Sequence, residues 1–118
     1  MTNYNTAFWQ ALDKLVAELK LIIDRPKGSV HPKYPDLVYH VDYGYLDGTT
    51  SMDGNGIDVW KGSDGSETDA IICVVDLLKR DSEIKILIGC NEDEKRTILD
   101  IQSNTEYMKG ILILRDGK

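Results

Sequence analysis

Two pairs of aspartates with the same spacing stand in the middle of the sequence. Asp53 and Asp58 are separated by the segment GNGI, and Asp64 and Asp69 are separated by GSET. Turns of this kind can bring two carboxylates together, and Mg²⁺ is held by one or two carboxylates together with water and substrate phosphates. Asp69 also opens an apolar run, where a buried carboxylate needs a metal or a hydrogen-bond donor. The pairs therefore predict a divalent-metal site or, as the alternative, two ordinary turns.

The elements that must position these aspartates follow from the apolar periodicity. Apolar residues at three- and four-residue spacing predict a helix over 6–21, and a capping-box pattern at Asn91 and Glu94 predicts a second helix. Strands are predicted at LIID, LVYHV, YGYL, GIDVW, DAIICVVDLL, SEIKILIGC and KGILILRD. Strands enclosed between an early and a late helix predict an α+β fold with a small, strongly curved sheet or barrel.

Composition bounds the class of protein. A chain of 118 residues with 42% hydrophobic content predicts one domain over 1–118. The net charge of −6 argues against nucleic acid as a partner, although a small phosphate ligand can still bind beside metal cations. No apolar run of membrane-spanning length and no signal sequence is visible, which predicts a cytoplasmic protein without membrane contact. Cys73 and Cys90 lie in apolar runs, so we expect buried thiols.

The run VDYGYLDGTTSMDGNGIDVW (41–60) resembles the signature of soluble, Mg²⁺-dependent inorganic pyrophosphatases. The tyrosine motif beginning at Tyr43, a following threonine and the first aspartate pair occur in the family's order. The upstream segment IIDRPKGSVHPKY is similar to the family's strand and loop, and the second aspartate pair is similar to the family's second pair. The resemblance covers roughly 22–75. It implies an OB-like, antiparallel β-barrel or sheet with an N-terminal helix and a helix in the C-terminal half.

The resemblance also implies an activity, which is hydrolysis of inorganic pyrophosphate to two phosphates by water activated on Mg²⁺. It places Lys33 and Tyr43 on phosphate and Asp58 in catalysis. The metal ligands that it implies are all acidic: Asp53, Asp58, Asp64 and Asp69, with Asp24 as an outer ligand. The partner that it implies is a small phosphate-containing substrate, and members of the family commonly form homo-oligomers.

Two departures from the family's pattern leave the activity open. Asn55 occupies the catalytic position where the family has an aspartate assigned as general base, and an amide cannot accept that proton. The segment PDLVYHV replaces a hairpin that carries a phosphate-binding arginine, for which Arg25 or Lys27 could substitute. His31, in the same loop as Lys33, is either a phosphate contact or a solvated histidine. The sequence therefore predicts a pyrophosphatase or, alternatively, a non-catalytic or altered-substrate relative that binds metal and phosphate.

Overall fold

A computed structural model describes residues 3–51 and 54–115 as two helices and one six-stranded sheet. The helices are α1 (Asn5–Glu18) and α2 (Glu92–Ile101). The strands are β1 (Leu21–Arg25), β2 (Asp42–Leu46), β3 (Ile57–Lys61), β4 (Thr68–Asp76), β5 (Asp81–Ile88) and β6 (Met108–Leu114). This order confirms the α+β class with an early and a late helix. Neither described helix combines the length and the apolar character that a membrane crossing requires.

The strand order across the sheet is β1-β2-β3-β5-β4-β6. Neighbouring strands are antiparallel except β3 and β5, which run parallel. The expectation of a purely antiparallel sheet is therefore wrong at this pair. Strands β4 and β5 form a hairpin, and β5 inserts between β3 and β4. In that position β5 runs in the same direction as β3. Within the described residues β1 and β6 each pair on one side only, so the sheet is open at both edges.

The loop between β1 and β2 replaces the strand that was predicted at LVYHV. A single bridge joins Val30 to Val38, and the N–H of Tyr39 donates to the carbonyl of Ser29 at 2.9 Å. This segment contains all three prolines of the chain, which cannot donate to a strand ladder. It therefore pairs with itself rather than with the sheet. Tyr39 and Val41 are nevertheless 4% and 1% exposed, because they pack into the core from the loop.

Helix α1 covers one face of the sheet. It ends at Glu18 rather than at residue 21, because Leu21 already belongs to β1. Its apolar stripe, formed by Leu12, Leu15 and Val16, packs on buried residues of three strands: Leu46 of β2, Val59 of β3, and Ile86 and Ile88 of β5. The face of the sheet under α1 is thus apolar, as the three- and four-residue periodicity predicts.

Helix α2 lies on the opposite face and begins at the predicted capping box. The side chain of Asn91 accepts from the N–H of Glu94 at 2.8 Å, and Glu94 accepts from the N–H of Asn91 at 2.9 Å. The core on this side contains Trp60, Ile72, Leu87 and Ile98, all less than 2% exposed. Three polar residues, Tyr43 of β2, Asp58 of β3 and Lys85 of β5, lie on this same face of the sheet.

Candidate functional site

Strands β2 and β3 bring two of the predicted site residues onto one face of the sheet. Tyr45 is the register partner of Asp58, and Tyr43 is the partner of Trp60. Residues two apart in a strand share a face, so Tyr43 and Asp58 point to the same side. Gly44, between the two tyrosines, lies against β1, where a Cβ would come within 1.8 Å of the Ile22 carbonyl oxygen. The glycine of the YGYL motif therefore permits the close approach of β1 and β2.

Lys85 of β5 joins these two residues. Its Nζ donates a hydrogen bond of 2.8 Å to the hydroxyl of Tyr43 and lies 3.5 Å from Oδ2 of Asp58. The lysine is only 8% exposed. A buried ammonium requires partners of this kind, because desolvation of an unpaired charge is costly. We refer to Tyr43, Asp58 and Lys85 as the Tyr43–Asp58–Lys85 cluster.

The hydroxyl of Tyr43 is held in its protonated form. Burial raises the pKa of Tyr43 far above its ordinary value, and the negative charge of Asp58 and a hydrogen bond with it raise the pKa further. The charge of Glu83, which lies on the same face of β5 as Lys85, acts in the same direction. The single O–H of Tyr43 therefore remains a hydrogen-bond donor, and in this structure it is engaged with Asp58 while the hydroxyl oxygen accepts from Lys85.

Arg25 approaches the cluster from β1, where its register partner is Tyr43. Its Nη1 donates a 2.5 Å hydrogen bond to the hydroxyl of Tyr39, and its guanidinium lies 5.6 Å from the Tyr39 ring and 5.9 Å from the Tyr43 ring. Burial opposes the charge on Arg25, but the hydrogen bond to Tyr39 and the electrostatic interactions with Tyr39, Tyr43 and Asp24 together raise the pKa of Arg25. The arginine is thus a fixed cation beside the cluster.

The loop between β1 and β2 adds further positive charge. His31 stacks on Tyr39 with ring centroids 6.2 Å apart, and its Nδ1 accepts from the N–H of Lys33 at 3.0 Å. Burial lowers the pKa of His31, and the charges of Arg25, Lys33 and Lys79 lower it further. Three cationic side chains from β1, the loop and the β4–β5 turn therefore lie close enough to act on one imidazole. This concentration of positive charge occurs in a chain whose net charge is −6.

The remaining predicted metal ligands are not gathered around the cluster. Oδ2 of Asp69 accepts a 2.7 Å hydrogen bond from the N–H of Cys90, which supplies the donor that a carboxylate in an apolar run needs. In the strand register, Asp69 lies beside Leu87 and Ile88 of β5, whereas Asp58 lies beside Lys85. The backbone positions of Asp58 and Asp69 are therefore offset by two or three residues along the strand direction, which is roughly 7–10 Å.

The other predicted acids and Asn55 lie at the surface or outside the described residues. Asp24 is exposed at the irregular position of β1, Asp64 is exposed between β3 and β4, and Asn55 is exposed in the turn before β3. Asp53 lies outside the described residues. Within 3–51 and 54–115, no three His, Cys, Asp or Glu side chains form a group that could hold a metal.

Two carboxylates, Asp58 of the cluster and Glu83 of β5, are nevertheless suitable ligands for Mg²⁺. Asp58 and Glu83 both act on the hydroxyl of Tyr43, so two carboxylates face one region. Mg²⁺ usually keeps several waters and takes one or two carboxylates together with substrate phosphates. These two residues would hold a magnesium ion that arrives with a phosphate substrate, and the described residues do not form a closed protein cage for it.

Sequence reasoning missed Lys85 and Glu83, although the segment SEIKILIGC carries a signal. Charged and apolar residues alternate through its first half, which places Glu83, Lys85 and Leu87 on one face. Leu87 lies in the core next to α2. A lysine two residues from a core leucine, on the same face of a buried strand, must find a partner. Its partners come from β2 and β3, which the segment alone does not reveal.

Comparison with known proteins bears on the fold. The sequence matches no protein-family model and no curated protein. The structure matches that of an inorganic pyrophosphatase from Helicobacter pylori with a TM-score of 0.57 and 12% identity, over 81% of this chain and 84% of that chain. The chain has a pyrophosphatase-like fold. An inorganic phosphatase from Anaplasma phagocytophilum matches with a TM-score of 0.46 and 14% identity, over 81% of this chain and 80% of that one.

The pyrophosphatase-like fold agrees with the family that the YGYL and Asp53–Asp58 motifs indicate. At 12% identity the likeness concerns the path of the backbone and not the site residues. A shared fold does not fix the chemistry of a site, so the chemistry of this pyrophosphatase-like chain depends on its own residues, the Tyr43–Asp58–Lys85 cluster and Arg25.

Proposed function

We propose that this protein binds inorganic pyrophosphate and hydrolyses it to two phosphates with Mg²⁺. The observation that carries the proposal is the contact of Lys85 with Tyr43 and Asp58, together with the guanidinium of Arg25, which lies 5.9 Å from the Tyr43 ring. Arg25, Lys33 and Lys79 all act on His31, and Lys85 is bonded to Tyr43. An acidic protein that concentrates its cations beside two carboxylates is suited to a small, highly charged anion accompanied by a divalent metal.

The substrate's phosphates would be held by side chains that are already positioned. Lys85 is fixed by Tyr43 and Asp58, and Arg25 is fixed by Tyr39. An arginine presents several N–H donors in one plane and suits phosphate oxygens, whereas a lysine acts as a point charge. Lys33, whose side chain is exposed in the loop, would reach the outer phosphate. Such preorganised donors stabilise charge that develops in the transition state.

The acidic residues would serve the metal and the attacking water. Bound Mg²⁺ supplies charge neutralisation on the phosphates and lowers the pKa of water, and Asp58 and Glu83 are the described carboxylates that would hold it. Asp58 is also the proton acceptor that the cluster offers, since the amide of Asn55 cannot take a proton. The hydroxyl of Tyr43 stays protonated and would exchange its hydrogen bond to Asp58 for one to a phosphate oxygen when the substrate binds.

The direct test is phosphate release from pyrophosphate with and without Mg²⁺. We expect Mg²⁺-dependent turnover that Asp58→Asn reduces by at least about 100-fold, because the variant removes the acceptor and a metal ligand. The matched control is Asp100→Asn, which changes an exposed carboxylate of α2 and should leave turnover within a factor of two or so. Turnover that is absent, or that persists unchanged in Asp58→Asn, would contradict the proposal.

The second candidate function is a non-catalytic or altered-substrate relative that binds metal and phosphate. Asn55 at the base position favours it, as does the engagement of Asp58 with Lys85. Calorimetric titration of pyrophosphate and of phosphate, with and without Mg²⁺, separates the two functions. Binding that Lys85→Met weakens, without any turnover, would support the second candidate.

A further inference from the structure

Five of the described aromatic side chains form a continuous row from the Tyr43–Asp58–Lys85 cluster to the surface. Trp60 and Tyr43 have ring centroids 4.4 Å apart, and Tyr39 follows Tyr43 at 5.6 Å. His31 comes next at 6.2 Å, and Tyr34 comes last at 4.8 Å. We call these five rings the aromatic row. It begins at Trp60, which is 1% exposed, and ends at Tyr34, which is 61% exposed.

Cations lie along the inner half of the aromatic row. Nζ of Lys85 lies 5.2 Å from the centroid of the Tyr43 ring, and the guanidinium of Arg25 lies 5.6 Å from that of Tyr39. Such contacts are favourable in themselves, but these cations are also the groups that would hold phosphate. Two ring-to-ring steps, of 6.2 and 4.8 Å, lead from the ring beside Arg25 to the exposed end of the row.

The loop between β1 and β2 holds Tyr34 in place although it leaves the ring exposed. The carbonyl of Tyr34 accepts from the N–H of Leu37 at 2.9 Å, and the carbonyl of Leu37 accepts from the N–H of His31 at 2.9 Å. Pro35 follows Tyr34 at the second position of this turn, where proline presets the backbone. A ligand that stacks on a ring already held in place does not have to order it. Tyr34 therefore offers a preformed stacking surface.

His31 adds a neutral ring and a donor beside Tyr34. Its Nδ1 accepts from the N–H of Lys33 at 3.0 Å, so the proton of the neutral imidazole lies on Nε2. Burial lowers the pKa of His31, and the charges of Arg25, Lys33 and Lys79 lower it further. At neutral pH the side chain is therefore an aromatic surface with one N–H donor, rather than a further charge for phosphate.

We propose that the site accepts nucleoside diphosphates, with the base stacked on Tyr34 beside His31 and the phosphates on Arg25 and Lys85. The inference rests on the proposed function, because it extends the phosphate site outward along the aromatic row. Stacking on an aromatic side chain suits any base, since each base has a π-face. We therefore expect the site to favour substrates that carry a base, with little preference for one base over another.

The reaction would be the same hydrolysis with a different leaving group. The oxygen of water bonds to the terminal phosphorus, and the bond from this phosphorus to the bridging oxygen breaks. The bridging oxygen keeps the electron pair and leaves as part of the nucleoside monophosphate. One proton of the water passes to Asp58 and from there to solvent. The products are one nucleoside monophosphate and one phosphate.

Tyr34→Ala separates the contribution of the base from that of the phosphates. Phosphate release is measured from adenosine diphosphate (ADP) and from pyrophosphate, each with Mg²⁺. We expect wild-type protein to hydrolyse both, and Tyr34→Ala to raise KM for ADP at least about tenfold, the loss of one base–aromatic stack, with KM for pyrophosphate within a factor of about two. Tyr34→Phe keeps the ring and should retain the wild-type KM for ADP. The matched control is Tyr4→Ala, which removes a 72% exposed tyrosine before α1 and should change neither constant.

Calorimetric titration with ADP and with pyrophosphate, in the presence of Mg²⁺, distinguishes a failure of this inference from a failure of the proposed function. Turnover of pyrophosphate, with ADP neither bound nor hydrolysed at about 1 mM, would overturn the inference and leave the proposed function standing. Binding of ADP that Tyr34→Ala leaves unchanged would also overturn it. Binding of ADP that depends on Tyr34, without phosphate release from either compound, would support the base site and overturn the hydrolysis of both.

Discussion

The two faces of strand β5 invert the usual relation between polarity and burial. Lys85 is 8% exposed, while its neighbour Ile84 is 49% exposed. Charged side chains are rarely buried without partners, and large apolar side chains are usually inside. Each exception has a different physical cause. The lysine is buried because Tyr43 and Asp58 satisfy it, and the isoleucine is exposed because α1 reaches only part of its face.

Because successive side chains of a strand point to opposite faces, β5 contributes to a different environment on each side of the sheet. Residues 83, 85 and 87 face the candidate site and the core under α2, and residues 84, 86 and 88 lie on the face of the sheet that α1 partly covers. Substitutions on the two faces should therefore have independent effects, because residues on opposite faces of a strand share few contacts. The predictions below test that separation.

The largest effect is expected from Lys85→Met, which keeps the stem of the side chain and removes its charge. The variant loses the ammonium that would bind phosphate, and it leaves Asp58 without its cation. We expect kcat/KM for pyrophosphate to fall by about 10²–10³-fold, measured by phosphate release. Lys109→Met, an exposed lysine of β6, is the control. Activity that survives in Lys85→Met would remove the buried lysine from the site.

Gly44→Ala tests how much the close approach of β1 and β2 contributes to stability. The new Cβ would lie 1.8 Å from the Ile22 carbonyl oxygen, so backbone must move. We expect a loss of unfolding free energy of about 3 kcal/mol in urea denaturation. At Gly110, by contrast, a Cβ would meet the side chain of Ile72 at 3.2 Å, which can adjust. Gly110→Ala should therefore cost less than about 1 kcal/mol, and equal losses in the two variants would contradict this account.

A smaller effect is expected from Tyr39→Phe, which keeps the buried ring and removes the acceptor of Arg25. The guanidinium would remain near the aromatic rings but would no longer be fixed by its 2.5 Å hydrogen bond. If Arg25 binds ground state and transition state alike, KM should rise about fivefold with kcat little changed. Steady-state kinetics with pyrophosphate measure both constants. A fall in kcat with constant KM would indicate that Arg25 acts mainly in the transition state.

Local patterns allowed parts of this structure to be predicted from the sequence. The capping box at Asn91 and Glu94 located α2 because both residues belong to one helical turn. The motif containing Tyr43 and Asp58 was informative because β2 and β3 are neighbours in sequence and in the sheet. Apolar periodicity likewise placed α1, although its end was three residues too late.

Contacts between distant segments could not be predicted in the same way. Lys85 reaches Tyr43 across 42 positions, through a parallel pairing of β3 and β5 that depends on the position of the β4–β5 hairpin. Asp69 finds its donor at Cys90, 21 positions away, so the need for a donor was foreseeable but its identity was not. The segment LVYHV has strand composition, yet its loop pairs with itself. In each case the tertiary arrangement decides between locally equivalent alternatives.

The smallest effect concerns Asp13, which links α1 to Arg115 at the end of β6. Arg115 binds both of its carboxylate oxygens, at 2.7 and 2.6 Å, and these hydrogen bonds hold the pKa of Asp13 below its usual range. A lowered folded-state pKa gives stability that is present above the unfolded pKa of about 4 and is lost as the pH falls through the folded value. Because the Asp13 side chain is 44% exposed, the contribution should stay below about 1 kcal/mol. Urea denaturation at neutral pH should show this loss in Asp13→Asn, and the difference from wild type should shrink at acidic pH. Asp100→Asn should show neither change, and a difference for Asp13→Asn that persists undiminished in acid would mean that packing rather than the ion pair fixes α1.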